Sequence, residues 1–289
     1  MLKLILESMR PAQWTKNLLV FSGLIFAEKF MEPRETGLAL QAFIIFCLLS
    51  SSVYLLNDVL DRERDRSHPL KSRRPVASGR LGVRPCLLAA LVLVLAAGAW
   101  GLRLGLEFLL LGAAYLALNV LYTLKLKHVV IVDVMLIGLG FVLRVLAGTA
   151  AIGVVTSNWI LLCTFLLSLF LSFGKRRHEL IALEGVAPAH RDVLVHYSPY
   201  FLDQMIAVVT PSTLVCYALY TLSPDTVAHV GSQNLVYSVP FVCYGIFRYL
   251  YQIHEKRGGG DPTRLLLTDL SILLAIFCWL AVVALVLYL

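Results

Sequence analysis

Charge is scarce in this 289-residue chain. Asp, Glu, Lys and Arg make up 15% of it, against about 25% in an average soluble protein. Hydrophobic residues make up 59%, with a mean hydropathy of +0.80, and a water-soluble fold is excluded. The six cysteines, Cys47, Cys86, Cys163, Cys216, Cys243 and Cys278, contain no CxxC pair and lie within or beside apolar stretches. They read as small membrane hydrophobes, which excludes a zinc cluster or a disulfide framework. None of the seven histidines has a ligand spacing such as HExxH. Gly258-Gly259-Gly260 follows no strand and opens no Walker-type helix, so it reads as a turn without a catalytic role. A cleavable leader is not expected, because Glu7 and Arg10 interrupt the N-terminal stretch and no small-residue cleavage site follows.

The chain has instead a succession of apolar runs, each near the roughly 20 residues that cross a bilayer core. Nine helices are expected, near 14–30, 37–57, 84–103, 106–124, 129–150, 158–174, 200–222, 235–251 and 267–289. The expected fold is an all-α polytopic membrane protein, with residues 1–289 forming one integral-membrane domain. Sorting Lys and Arg by loop supports that span number. One side collects 20 of the 25, the other only Lys29, Arg34 and Arg103, with Arg144 and Arg248 left within or at the edge of spans. By the positive-inside rule the N-terminus is cytoplasmic. The net charge of +7 then partly reflects topology and calls for no nucleic acid.

Acidic residues number only 18, and four of them, Asp58, Asp61, Glu63 and Asp65, crowd the point where the second helix leaves the membrane. Asn57, Asp61 and Asp65 are spaced by four, and Asp58, Asp61 and Asp65 by three and then four, so a continuing helix presents them on one face. Like charges so placed repel, and a divalent cation removes the penalty. Oxygen-only ligands suit Mg²⁺, which usually takes one or two carboxylates plus substrate phosphates. The plainer alternative is a solvated helix whose acids pair with the interspersed Arg62, Arg64 and Arg66.

Asn57-Asp58-x-x-Asp61-x-x-x-Asp65 resembles the first aspartate motif, NDxxDxxxD, of the UbiA-type intramembrane prenyltransferase superfamily. Ser72-Arg73-Arg74-Pro75-Val76-Ala77-Ser78-Gly79 is similar to its R-P-x-x-S-G segment. The resemblance covers essentially the whole chain. It implies a nine-helix bundle in which Asp58, Asp61 and Asp65 hold Mg²⁺ on a diphosphate leaving group, with Asn57 orienting an oxygen or a bound water. The second motif departs from the common one. Where prenyl-transferring members carry Asp-x-x-x-Asp, this chain has Gly174-Lys175-Arg176-Arg177-His178-Glu179-Leu180. A basic set in that place suits a donor with a diphosphate at one end and a further phosphate at the other. Phosphoribosyl diphosphate has that architecture.

The remaining segments resemble the phosphoribosyl-transferring branch typified by decaprenyl-phosphate phosphoribosyltransferase. They are Arg10-Pro11-x-x-Trp14-x-Lys16-Asn17, Tyr122-x-x-x-Leu126-Lys127, Asp133, Phe141-x-x-Arg144 and Gly174-Lys175-Arg176-x-x-Glu179, with a weaker match at Tyr200-Phe201-Leu202-Asp203. The resemblance implies transfer of 5-phosphoribosyl from phosphoribosyl diphosphate to a polyprenyl phosphate at the cytoplasmic side of a bacterial-type inner membrane. It leaves a homo-oligomer open. Lys16, Lys127, Lys175 and Arg176 are candidates for cradling the two phosphates, Arg73 and Arg74 for reaching the diphosphate, and Tyr122 for a phosphate or ribose hydroxyl. Singly, each cation also reads as a positive-inside anchor. Asp133 is placed to serve ligand or lysine binding, and Glu179 a second metal contact, with Glu184 and Asp192 the other acids nearby. Arg144 lies about 16 Å along the helix from Asp133, too far to pair. It is open between a ligand role and a bond to helix-end carbonyls near Gly148 and Gly153. Two other functions stand beside this one: prenyl transfer to an aromatic ring, against which the basic 174–177 run argues, and a transporter or lipid-binding protein, for which no internal repeat is seen.

Overall fold

Apolar runs of this length can satisfy their backbone in a bilayer only as helices or closed barrels, and every regular element among the described residues is helical. The structure is a computed structural model and describes residues 1–67, 71–182, 192–256 and 258–288. The α-helices are α1 (Leu2–Met9), α2 (Ser22–Phe26), α3 (Pro33–Leu60), α4 (Arg62–Arg66), α5 (Val83–Gly101), α6 (Leu106–Leu124), α7 (Val132–Ile152), α8 (Asn158–Ala182), α9 (Pro199–Leu222), α10 (Pro224–Val230), α11 (Val239–His254), α12 (Pro262–Thr268) and α13 (Leu270–Tyr288).

Among the described residues, seven helical stretches are long and apolar enough to cross a membrane: α3, α5 with its 3₁₀ extension to Leu104, α6, α7, α8, α9 and α13. The expected spans near 14–30 and 235–251 take a different form. The first is a 3₁₀ stretch, Pro11–Phe21, running into α2. The second is a 3₁₀ turn, Asn234–Ser238, running into α11. Pro11 and Pro240 sit at the starts of the first 3₁₀ stretch and of α11, where a missing N–H costs no helical bond. At about 2.0 Å per 3₁₀ residue and 1.5 Å per α residue, each composite still reaches about 30 Å.

Two compact units make up the chain, the first containing Met1–Thr156 and the second containing α8 and Leu194–Leu289. In the first, α3 is central. It is 61% buried over its most apolar window, against 22% for α5 and α6. Phe46 on α3 meets Phe108 and Tyr115 of α6 at 6.0 and 5.3 Å between ring centroids. The N-terminal segment lies against α7 at backbone distance. A Cβ on Gly148 would stand 2.0 Å from the Val20 carbonyl oxygen, and one on Gly23 would stand 2.5 Å from the Thr149 methyl. Leu4, Ile5 and Met9 of α1 pack on Leu55, Val76, Leu81 and Cys86.

In the second unit α8 packs on α9 and α11 on α13. Phe170 meets Tyr249 at 5.3 Å, and the Tyr217 hydroxyl is bonded to Ser238 and accepts from Trp279. Arg248 of α11 donates to Asp269 at the start of α13 at 3.0 Å. The outer face of α13 exposes Leu274, Phe277 and Leu285, as a lipid-facing helix would. All six cysteines are free; the sulfurs of Cys163 and Cys216 touch at 3.4 Å.

Candidate functional site

The acidic group lies at the exit of α3, in the first unit. The helical course continues past Leu60: the Asp61 N–H donates to the Asn57 carbonyl and the Asp65 N–H to the Asp61 carbonyl. Asp61 itself caps α3 with φ −91° and ψ 6°. Asp58 and Asp65, seven residues or nearly two helical turns apart, share one cation, whereas Asp61, at the cap, takes another. Arg74 Nη1 stands between the first two, 3.4 Å from Asp58 Oδ1 and 2.6 Å from Asp65 Oδ2. Arg10 also donates to Asp58. Asp61 accepts from Lys127 Nζ at 2.7 Å. Asp58 and Asp65 are buried, at 2% and 4% exposure.

The three aspartates thus take cations from outside the 57–66 segment, while Glu63 pairs with Arg66, one of the arginines between them. The physical reason is access. Arg74 is carried back to α3 by the turn after it, in which Ser78 N–H and Oγ both bond the Arg74 carbonyl and Leu81 N–H bonds Pro75 O. Val76 and Ala77 are buried beneath it, and Gly79 closes the turn at φ 78°. Arg73 stays exposed, its carbonyl accepting from Arg80. Asn57 is oriented by Thr123, whose hydroxyl donates to its amide oxygen at 2.6 Å. Lys16 and Tyr122 are half-buried, and Asp133 is fully buried in the first turn of α7. Ile131, between Lys127 and Asp133, has φ 69°, a strained value for a β-branched residue.

Among the described residues no three His, Cys, Asp or Glu side chains converge as a ready metal cage. The donor set nonetheless fits a hard cation: Asp58 and Asp65 already hold one positive nitrogen between two carboxylate oxygens. These are the residues that would hold Mg²⁺, with Asp61 beside them in sequence.

The basic group lies at the end of α8, in the second unit. Arg176 is 2% exposed and donates to Glu179 Oε2 at 2.7 Å, while Lys175 Nζ stands 3.9 Å from Oε1. Glu179, expected as a metal contact, thus has an oxygen toward each cation. Arg177 donates to Asp203 on α9. Glu184 and the side chain of Asp192 lie outside the described residues. Gly260 lies against the ring of His178, where a Cβ would meet it at 2.4 Å. The triple glycine is thus a close-packing turn over the end of α8, a role its composition did not indicate.

Arg144 sits inside the first unit and does not bond carbonyls near Gly148 or Gly153. It donates to Asn17 Oδ1, the Gly140 carbonyl and the Tyr115 hydroxyl at 2.7–2.9 Å, with its guanidinium over the Tyr115 ring. Sequence reasoning did not assign Arg10 to the site. It stacks over Tyr54 at 4.9 Å from a left-handed backbone, φ 53°. The only available signal was its place at the head of the Arg10–Asn17 motif.

Comparison with known proteins adds to this geometry. Residues 18–281 match the sequence pattern of the UbiA prenyltransferase family. The chain is 32% identical to the decaprenyl-phosphate phosphoribosyltransferase of Mycolicibacterium smegmatis, over 98% of this chain and 92% of that one. It is also 32% identical to the protein of that name from Mycobacterium tuberculosis, over 96% and 92%. Its fold is similar to that of a UbiA homolog from Archaeoglobus fulgidus bound to DMAPP and Mg²⁺, with TM-score 0.72 and 18% identity over 97% of this chain and 99% of that one.

Proposed function

Because this chain belongs to the UbiA prenyltransferase family, an integral-membrane enzyme class, we propose that it transfers 5-phosphoribosyl from phosphoribosyl diphosphate to a polyprenyl phosphate. The products are polyprenyl-phosphoryl-5-phosphoribose and diphosphate. One observation carries the choice of donor: where a second acidic motif would serve a prenyl diphosphate, the end of α8 holds Lys175 and the buried Arg176 around the single acid Glu179. The near-full-length likeness to proteins named as phosphoribosyltransferases supports the same reading.

In the proposed reaction an oxygen of the lipid phosphate attacks the anomeric carbon of the ribose. The carbon–oxygen bond to the diphosphate breaks, and the configuration inverts from α to β. A phosphate monoester is already anionic at neutral pH, so no residue has to act as a strong general base. Asp58, Asp61 and Asp65 would hold Mg²⁺, which supplies charge stabilisation for the departing diphosphate. Asn57, fixed by Thr123, orients an oxygen beside them. For phosphate recognition we assign Lys16, Arg73, Arg74 and Lys127 in the first unit and Lys175 and Arg176 in the second. Tyr122 and Asp133 are assigned to the donor sugar or its lysine contacts. Glu179 orients Arg176.

The topology completing this reading has nine crossings, the two 3₁₀–α composites included, as one membrane domain with a cytoplasmic N-terminus and active site. The test is a product assay with the purified protein in detergent, Mg²⁺, labelled phosphoribosyl diphosphate and a panel of polyprenyl phosphates. A parallel arm offers 4-hydroxybenzoate and a polyprenyl diphosphate. Mg²⁺-dependent transfer of label into lipid is expected. Product in the aromatic arm alone would replace the donor and leave the fold and family unchanged.

A further inference from the structure

Each of the three aspartates at the exit of α3 holds a cation from outside the 57–66 segment. Asp58 holds Arg10 and Arg74, Asp65 holds Arg74, and Asp61 holds Lys127. Three aspartates thus meet three cations. Asp58 and Asp65 are almost wholly buried and Lys127 is 11% exposed, while Arg10 and Arg74 are partly buried, at 27% and 28%. Removing one partner of a buried pair is strongly unfavourable, because it strands the other charge away from water. A metal ion therefore takes these carboxylates at lower cost when the displaced cations find another anion. A diphosphate or phosphate supplies it, through charge-assisted bonds of the same kind.

We propose that Arg10, Arg74 and Lys127 are exchangeable internal counter-ions. The carboxylates pass from these side chains to the divalent metal as the side chains pass to phosphate oxygens, so metal and diphosphate bind as a mutually dependent pair. The inference rests on the proposed reading for the diphosphate, but on nothing about the ribose or the lipid. The coupling is reciprocal by linkage: each ligand raises the affinity for the other by the same factor. Metal binding without substrate is kept weak by the chain's own cations.

This arrangement makes a prediction of opposite signs. Replacing Arg74 frees the Asp58–Asp65 pair for metal and removes a phosphate ligand. With full-length protein in detergent, binding of Mn²⁺ alone is followed by loss of the free-ion EPR signal. Binding of labelled inorganic diphosphate in Mg²⁺ is followed by equilibrium dialysis. Arg74→Gln is expected to tighten Mn²⁺ binding about tenfold and to weaken diphosphate binding about tenfold. A merely structural ion pair would make both affinities fall together. That result, or an unchanged affinity for Mn²⁺, overturns the proposal. If Arg74→Gln does not fold, Lys127→Gln reads the same two affinities at Asp61, with the same expected signs. Inorganic diphosphate carries neither ribose nor prenyl chain. A failure here is therefore distinct from a failure of label transfer to lipid.

Discussion

The two polar groups of the molecule satisfy their charges in different ways. At the exit of α3, Asp58 and Asp61 take cations 48 and 66 residues away in sequence. At the end of α8, Arg176 and Lys175 take Glu179 three and four residues along the same helix. Pairs at those helical spacings form wherever the helix forms, and they hold a turn of basic side chains in one orientation. Remote pairs form only after other segments have packed. The acidic group therefore depends on the Arg10–Phe21 segment, the 74–81 turn and the loop before α7 all being in place, while in the basic group the Glu179 pairs form within α8 and Arg177 reaches Asp203 on α9.

Substitutions should expose that difference, and the largest effect is expected in the acidic group. Asp58→Asn or Asp61→Asn should reduce phosphoribosyl transfer by about 10³-fold or more, since charge stabilisation of the leaving group is lost. Near-normal turnover in both variants of the labelled-donor assay would remove the metal assignment. In the basic group Arg176→Gln should raise the donor KM about tenfold with a smaller change in kcat, the pattern of a lost binding contact. A fall in kcat at constant KM would assign Arg176 to the chemistry instead.

Smaller effects concern stability. Arg144→Met leaves Asn17 Oδ1 and the Tyr115 hydroxyl without their donor and should destabilise the protein by about 1–3 kcal/mol, read as a lower apparent Tm in detergent. An unchanged Tm would show that the remote bonds of Arg144 are not needed to hold the N-terminal segment. The smallest effect tests a remote pair in the second unit. Hydrogen bonding from Arg248 holds the Asp269 carboxyl below the ordinary carboxylate range. A lowered folded value stabilises above the unfolded one, about 3.9, and that stabilisation is lost as pH falls through the lower folded value. Asp269→Asn should therefore lower Tm near neutral pH, and the gap to the parent should close in acid. A gap that persists in acid would attribute the loss to geometry.

Legibility followed the range of the interactions. The spans at α3, α5 to α9 and α13 were readable because a run of apolar side chains is a local property. The 3₁₀ course of Pro11–Phe21 was not, because the segment's form is set where Val20 meets Gly148 and Asn17 meets Arg144, more than a hundred residues on. The spacing of Asp58, Asp61 and Asp65 suggested one common face. Asp61 nonetheless takes Lys127 and not Arg74, because its backbone at the cap, φ −91° and ψ 6°, interrupts the helix, and the loop before α7 brings Lys127 within 2.7 Å. The packing of Gly260 on His178 was illegible for the same reason as Arg10: a close approach between remote segments leaves no local pattern.

The sequence by itself determined that the chain is helical and lies in a membrane, and where acid and base concentrate along it, since apolar run length, helical spacing and composition act over a few residues. Only the tertiary structure decided which cation each carboxylate holds and how Arg144 is accommodated, because buried charges take the partner that packing brings within hydrogen-bond reach, however distant in the chain.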